Sequence, residues 1–387
     1  MTTGSYRNTI KGCADCHNPT AAATLERESF QPGGPHDFTS IVGRAVGVDC
    51  ESCHGPARRW LKPHYRPAWN RFTPQEKESY GMYDTQNLLS RAHKCAECHV
   101  GKAGMDVNHD LIAAGHPPLK FEYSAYLDAL PKHWDHARER QNMPDYELRT
   151  WVAGQLATAQ AALRLLAARA DASDPAWQRY QPVYPEFAEY DCFACHHDLQ
   201  SPSWRIQHGF AGRTPGSLTW GGWYFTMLRR LSGPPSAQAI DTLTRTMTNH
   251  PVPARKTVRD DAARALAALQ RWAEEKNIDA WLNDPDYQAR PQMDMGQTLS
   301  SFFVERDGTA TVDSWDSAVQ AYLFLVALHT EQSNRAALGE LRQVRAALRY
   351  ESGYDSPRHF AVDADTAASV PADIRKKLLH IYQMLNN

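Results

Sequence analysis

The chain has 387 residues, and its 42 Lys and Arg nearly balance its 44 Asp and Glu, giving a formal net charge of −2. This balance excludes the strongly basic surface of nucleic-acid-binding proteins, and no apolar run approaches the roughly 18 residues that a membrane span needs. The length is sufficient for two or three domains.

All eight cysteines fall into four Cys-x-x-Cys-His motifs. This is the attachment signature of a c-type haem: two thiols add across the vinyl groups of the porphyrin, and the adjacent His binds the iron. The sequence therefore predicts four covalently bound haem c groups. Their attachment residues are Cys13, Cys16, Cys50, Cys53, Cys95, Cys98, Cys192 and Cys195, and their proximal iron ligands are His17, His54, His99 and His196.

Zinc is the alternative, because paired cysteines also build zinc ribbons. Zinc has no use for a His after every pair, and with His at 17 of 387 positions four such coincidences have odds of roughly four in a million. Zinc also prefers neighbouring pairs, whereas the fourth motif lies far beyond the third. The regular motifs and the length of the chain argue against a disulfide framework as well.

The first three motifs lie in a stretch with little regular periodicity, interrupted by turn signals such as Gly33-Gly34-Pro35. We expect little regular structure there, with the haems themselves forming the core. A helical pattern covers residues 145–172, between the third and fourth motifs. We assign residues 1–208 to a tetrahaem cytochrome c domain.

Beyond residue 208 no cysteine remains and the pattern is helical throughout. Breakers such as Pro234-Pro235 separate the predicted helices. These helices are Trp220–Leu231, Ser236–Met247, Val258–Lys276, Ser314–Thr330, Asn334–Arg349 and Ala372–Leu385. The predicted class is mainly α, with the multihaem cytochrome c domain followed by an all-α helical domain over residues 209–387.

The second axial ligands decide the function. An iron with His on both sides suits electron transfer, whereas an iron with an open position can transform a small molecule. His36 and His64 flank the second motif in loops rich in Gly or Pro. His109 and His116 are seven residues apart, which on one helix is two turns and a rise of about 10 Å, so that one element could serve two adjacent haems.

The sequence leaves two ways to pair His109 and His116 with the motif histidines. His109 with His196 and His116 with His99 is the favoured combination, and the reverse is the alternative. The segment around His116 could instead be a structural turn. Five further histidines remain as alternative ligands or as donors to haem propionates, namely His93, His133, His136, His197 and His208. We expect His250, His329, His359 and His380 to be ordinary surface or core residues.

Residues 47–58, with the sequence GVDCESCHGPAR, and the following His64 resemble a segment of the tetrahaem electron acceptor of hydroxylamine oxidoreductase. That family shares its haem stacking with octahaem hydroxylamine oxidoreductase and pentahaem nitrite reductase. The resemblance implies that His64 pairs with His17 and that His36 pairs with His54.

The chain departs from this family in its spacing. Cys13 and Cys50 are only 37 residues apart, so the intervening motif that carries the family's five-coordinate haem is missing. The helical half of the chain, residues 209–387, is also an addition relative to this family. The resemblance therefore implies electron transfer, and it does not extend to nitrogen-oxide chemistry.

The sequence thus predicts a tetrahaem c-type cytochrome that relays electrons between redox protein partners, rather than an enzyme. The predicted distal ligands of its bis-His haems are His36, His64, His109 and His116. One alternative is a multihaem redox enzyme that acts on a small nitrogen or sulfur species at one five-coordinate haem. Another is a subunit of an extracellular haem filament, and self-association as a homo-oligomer is left open.

We expect a periplasmic or extracellular location, because haem is attached covalently outside the cytoplasmic membrane. Residues 1–11 contain no apolar segment typical of a signal peptide. We therefore expect the numbering to describe a mature or trimmed chain.

Overall fold

The structure is a computed structural model. It describes residues 12–19, 47–143, 145–177, 182–192, 195, 217–250, 252–287, 315–348 and 372–384. Of the predicted iron ligands, His36 and His196 lie outside these ranges.

The described part of the chain is mainly α-helical and contains two isolated β-bridges but no β-strand. The predicted mainly α class is therefore confirmed. The α-helices are α1 (Cys50–His54), α2 (Pro74–Ser79), α3 (Leu88–His99), α4 (His109–Ala113), α5 (Tyr123–Ala129), α6 (His136–Asn142), α7 (Tyr146–Arg169), α8 (Leu228–Leu231), α9 (Pro234–Asn249), α10 (Arg255–Glu275), α11 (Ile278–Asn283), α12 (Trp315–Glu331), α13 (Arg335–Ala347) and α14 (Ala372–Gln383). Residues 12–17, which contain the first motif, are helical as well.

The long helix α7 forms the centre of the fold. Its 24 residues give it a length of about 36 Å, and it packs against α3, α5, α10, α11 and α12. Apolar residues are buried on all its sides, as expected of a helix inside a core. The ring of Trp151, in the middle of α7, lies 4.4 Å from that of Phe324 in α12, centre to centre.

Most of the predicted helices are present. Residues 145–172 correspond to α7, and five predicted helices correspond to α9, α10, α12, α13 and α14 with ends shifted by up to three residues. The prediction for Trp220–Leu231 is wrong over most of its length, because only α8 is an α-helix there. The backbone N–H of Gly221 instead donates to the carbonyl oxygen of Glu189 at 2.9 Å, beside a bridge between Tyr190 and Trp220.

The region of the first three motifs contains more helix than expected. Helix α3 carries the third motif, and its Leu88, Ala92 and Ala96 are buried. These residues are four positions apart, so they share one face of the helix. Their side chains are part of the same core as those of α7, against which α3 packs. Protein side chains of this region therefore contribute to the hydrophobic core.

One hydrophobic core runs from Leu88 to Ile381 within the described residues, so helices on both sides of residue 208 share it. Hydrogen bonds also cross the same division. Trp223 Nε1 donates to the carbonyl oxygen of Phe121 at 2.9 Å, and the backbone N–H of Leu88 donates to Oδ1 of Asn283 at 2.7 Å. Among the described helices, none combines the length and the hydrophobicity that crossing a membrane requires.

Candidate functional site

The second motif forms the short helix α1, whose ends are fixed by flanking residues. The carboxylate of Asp49 accepts a hydrogen bond from a backbone N–H of the first turn at 3.0 Å, which caps the helix. At the other end Gly55 has a φ of +78°, and a Cβ there would lie 2.8 Å from the carbonyl oxygen of Gly81. Glycine is therefore required at this position. Cys50 and Cys53 are exposed and, being three residues apart, lie on one face of the helix.

The third motif occupies the last turn of α3. Cys95 and Cys98 are half-buried and again three residues apart. The packing of α3 against α7 fixes the direction in which the motif is presented. The ring of His99, at the end of the helix, stacks on Phe121 with ring centres 4.7 Å apart and planes at 16°. Tyr126 meets the same imidazole at 5.0 Å.

The thiols of the first three motifs converge at α3. The interaction of the Cys98 thiol with the nearby thiol of Cys16, in the first motif, raises the pKa of Cys16 and lowers that of Cys98. Burial raises the pKa of Cys95 to about 11, and the nearby thiol of Cys53 in the second motif contributes to the rise. Three predicted attachment points therefore lie together around one helix.

Two pairs of histidine rings have matching separations, and each pair joins a motif to a distant loop. The ring centres of His17 and His116 are 6.2 Å apart, with planes at 68°. Those of His54 and His133 are 6.0 Å apart, with planes at 88°. A metal–imidazole bond is about 2 Å long and the ring centre lies about 1 Å beyond the nitrogen, so two imidazoles on opposite sides of one iron have centres roughly 6 Å apart. Both pairs have this separation.

Hydrogen bonds to Nδ1 orient two of these rings. Nδ1 of His116 lies 2.7 Å from the carbonyl oxygen of Pro117, and Nδ1 of His54 lies 3.4 Å from Oγ1 of Thr85. A metal-binding histidine generally donates its second ring N–H to such an acceptor, which leaves Nε2 for the metal. Burial lowers the pKa of His54, and the neighbouring His133 lowers it further. The neutral ring that results is the form that binds a metal.

His64, another predicted distal ligand, belongs to neither of these pairs. Nδ1 of His64 lies 2.5 Å from the carbonyl oxygen of Leu61, which accepts its hydrogen bond, and the His64 ring lies 5.6 Å from that of Trp60. Within the described ranges no ring contact joins His64 to His17, whose ring faces His116 instead.

His109 lies beside the segment that leads to the fourth motif. Its backbone N–H donates to the carboxylate of Glu186 at 2.8 Å, and its ring lies 5.9 Å from that of Phe187. Glu186 and Phe187 come shortly before Cys192. This placement is compatible with the predicted pairing of His109 and His196, of which His196 lies outside the described residues.

The expectation that His109 and His116 share a two-turn helix is wrong. Helix α4 ends at Ala113, and Gly115 then adopts a φ of +107°, a left-handed conformation that no helix continues through. His116 therefore follows a turn, and its ring lies beside that of His17 in the first motif. His133 was one of several alternatives in the sequence. No spacing rule identifies it, because His54 and His133 approach each other only through the folding of the segments between them.

The described residues contain no group of three or more His, Cys, Asp and Glu side chains arranged to hold a metal ion. A haem iron takes only two ligands from the protein, its remaining ligands being porphyrin nitrogens. Paired imidazoles beside paired thiols, as at the first two motifs, fit that requirement. Comparison with known proteins gave no significant match to any protein-family model, curated protein or solved structure.

Proposed function

We propose that the chain is a tetrahaem c-type cytochrome whose bis-His haems carry electrons between redox proteins. The observation that carries this proposal is the separation of two imidazole pairs. The ring centres of His17 and His116 are 6.2 Å apart, and those of His54 and His133 are 6.0 Å apart. Two imidazoles on one iron leave no open position for a substrate, which favours an electron carrier over an enzyme.

The thiols of the four motifs would hold the haems, and the motif histidines would be the proximal ligands. For the distal positions we assign His116 to the haem of the first motif and His109 to that of the fourth. The family resemblance implied His64 as the distal ligand of this first haem, so His64 is the alternative to His116 at that position. His36 and His64 remain as candidates for the third haem under our assignment.

A bound haem supplies one-electron exchange at its iron. The chain's own residues attach and orient it, and they tune its potential through burial and hydrogen bonding. The convergence of Cys16, Cys53 and Cys98 supports a relay, because the attachment points of three haems then lie around α3.

We infer that the finer architecture is a multihaem segment covered on one side by the C-terminal helices. Lys120, which follows His116, forms an ion pair with Asp316 of α12 at 2.6 Å. Tyr224, before α8, donates its hydroxyl hydrogen to the carbonyl oxygen of Leu119 at 2.7 Å. Such contacts would shield haem edges from solvent on this side and leave the other side for redox protein partners. Covalent haem attachment supports a periplasmic or extracellular location.

Haem stoichiometry tests the proposal. The chain would be produced in a host that attaches haem to exported proteins, and haem per chain would be measured by pyridine haemochrome absorbance and intact mass. We expect four haems in the unchanged chain and three after the double replacement Cys50→Ser and Cys53→Ser. Ser52→Ala, between the two cysteines, is the matched control and should retain four. Bound zinc without haem would contradict the proposal.

A further inference from the structure

We propose that His133 is the distal ligand of the haem at the second motif, and that Arg91 is the positioning residue that holds His133 and His54 at their separation. This inference rests on the proposed function. It names a ligand that differs from His36, which the family resemblance implied for this haem.

The first support is the ring geometry. His133 lies in the loop between α5 and α6, with its ring centre 6.0 Å from that of His54 and the two planes nearly perpendicular at 88°. The separation is the one required of two imidazoles bound to the same iron. His133 is exposed, and its ring contacts the rings of His54 and Trp134.

The second support is a contact from Arg91 to the His54 side of the pair. Arg91 lies on α3, and its Nε donates to the backbone carbonyl oxygen of Thr85 at 2.6 Å. The side-chain Oγ1 of Thr85 is 3.4 Å from Nδ1 of His54. The guanidinium therefore fixes the residue that orients the proximal imidazole.

The third support is a contact from the same guanidinium to the His133 side. Nη2 of Arg91 donates to Oε1 of Glu139 at 2.5 Å, and Oε2 of Glu139 accepts a hydrogen bond from Nε1 of Trp134 at 2.8 Å. Trp134 is the neighbour of His133, with ring centres 5.2 Å apart. The guanidinium also lies over the Trp134 ring at 5.3 Å. Arg91 is thus linked to the His54 ring through Thr85 and to the His133 ring through Trp134.

The chemistry of this network requires arginine. The side chains of Arg91 and Glu139 are only 11% and 19% exposed, so solvent screens their interaction weakly. The planar guanidinium fork can donate to Thr85 and Glu139 in different directions at once. A lysine ammonium in the same place is a compact point charge and does not reproduce this geometry.

Ligand exchange tests His133 without requiring an open iron. His133→Met and His36→Met would be produced in the full chain, and each haem potential would be measured by redox titration with optical detection. Thioether in place of imidazole raises the potential of the haem concerned. We expect His133→Met to raise one potential, namely the one that is missing from the Cys50→Ser and Cys53→Ser double variant. The reverse result, with His36→Met moving that potential and His133→Met moving none, would overturn the assignment.

Ligand removal is the second test. His133→Ala should keep four haems but convert one to the high-spin form, which binds carbon monoxide after reduction and returns to low spin with added imidazole. His136→Gln removes a neighbouring imidazole while keeping a donor for Glu139, and it should leave all haems low-spin. If all four haems of the His133→Ala protein were low-spin and bound no carbon monoxide after reduction, the assignment would be refuted. Fewer than four haems in the unchanged chain would instead refute the proposed function.

Arg91 is tested by spectroscopy rather than by stability alone. Arg91→Lys should alter the electron paramagnetic resonance g values of the second-motif haem and leave the other haem signals in place. Arg149→Lys is the matched control, because Arg149 is also a buried arginine and donates to the carbonyl oxygen of Asp284, away from the motifs. Equal spectra for Arg91→Lys and the unchanged protein would refute the positioning role.

Discussion

The imidazole rings of His17 and His116 lie 6.2 Å apart, although the two residues come from distant segments of the chain. Nδ1 of His116 lies 2.7 Å from the carbonyl oxygen of Pro117, so its Nε2 remains for another partner. His17 immediately follows Cys16 in the first motif. We therefore propose His116 as the distal ligand of the first haem.

The change His116→Met should raise the potential of one haem by an amount on the order of 0.1 V, within the roughly 0.8 V range that axial ligands span. Redox titration would show the shift, and the other potentials should stay nearly constant. The potential that moves should be the one lost when Cys13 and Cys16 are both replaced by Ser. If His64→Met moves that potential instead, the pairing implied by the family resemblance is correct and ours is not.

The glycine at position 154 is required by the contact between α7 and α5. A Cβ at Gly154 would lie 2.6 Å from Cβ of Tyr123, which is buried. Gly154→Ala should therefore lower the free energy of unfolding by about 1–3 kcal/mol through overpacking. Gly339→Ala in α13 is the matched control, since a Cβ there meets nothing within 4 Å. It should raise the free energy of unfolding by about 0.5–1 kcal/mol. Urea unfolding measures both, and changes of the same sign would contradict the packing described.

A buried ionic cluster at the end of α7 joins two loops near the motifs. Arg169 donates to Asp106 at 2.5 Å and to Glu189 at 2.6 Å, and the side chains of Arg169 and Asp106 are only 6% and 3% exposed. Removing the guanidinium leaves buried carboxylates without their counter-charge. Arg169→Met should therefore destabilise the protein by about 3–5 kcal/mol.

The control for Arg169 is the exposed pair of Arg229 and Asp241, whose nearest N and O atoms are 2.9 Å apart. Because both side chains are about 40% exposed, Arg229→Met should cost no more than about 1 kcal/mol. Denaturant unfolding compares the two variants. Similar losses of stability would mean that the Arg169 cluster is not the buried network that the structure describes.

The histidine at position 329 predicts a pH dependence of stability. His329 is fully buried in α12, and its Nε2 is 3.0 Å from the carbonyl oxygen of Ile381 in α14. Burial lowers the pKa of His329 below its usual value of 6.5. The unfolded chain therefore binds a proton that the folded chain does not, once the pH falls below about 6.5, and stability decreases as the pH falls.

Urea midpoints measured from about pH 8 to pH 5 should be flat at first and then decline, as the linkage of proton binding to unfolding requires. His329→Gln should reduce the decline, and His250→Gln, at an exposed position, should leave it unchanged. An unaltered decline in His329→Gln would show that other groups determine it.

The sequence predicted the elements whose pattern is local. The apolar residues of α7 recur at helical spacing, so its position follows from the sequence alone. Helix α3 was missed because its buried face consists of Leu88, Ala92 and Ala96, and small side chains give a weak periodic signal. The proposed haem-attachment cysteines follow from a five-residue motif. The approach of His133 to His54 depends instead on tertiary contacts among Arg91, Glu139 and Trp134, which no pattern within one segment reports.

The electron paramagnetic resonance spectrum of the oxidised protein, quantified per haem, decides whether every iron is held by two imidazoles. We expect four low-spin ferric signals per chain and no high-spin signal, because each proposed iron site has two imidazole ligands. One high-spin haem per chain would contradict it. That result would mean that one iron has an open axial position, and the protein would then have to be treated as a redox enzyme.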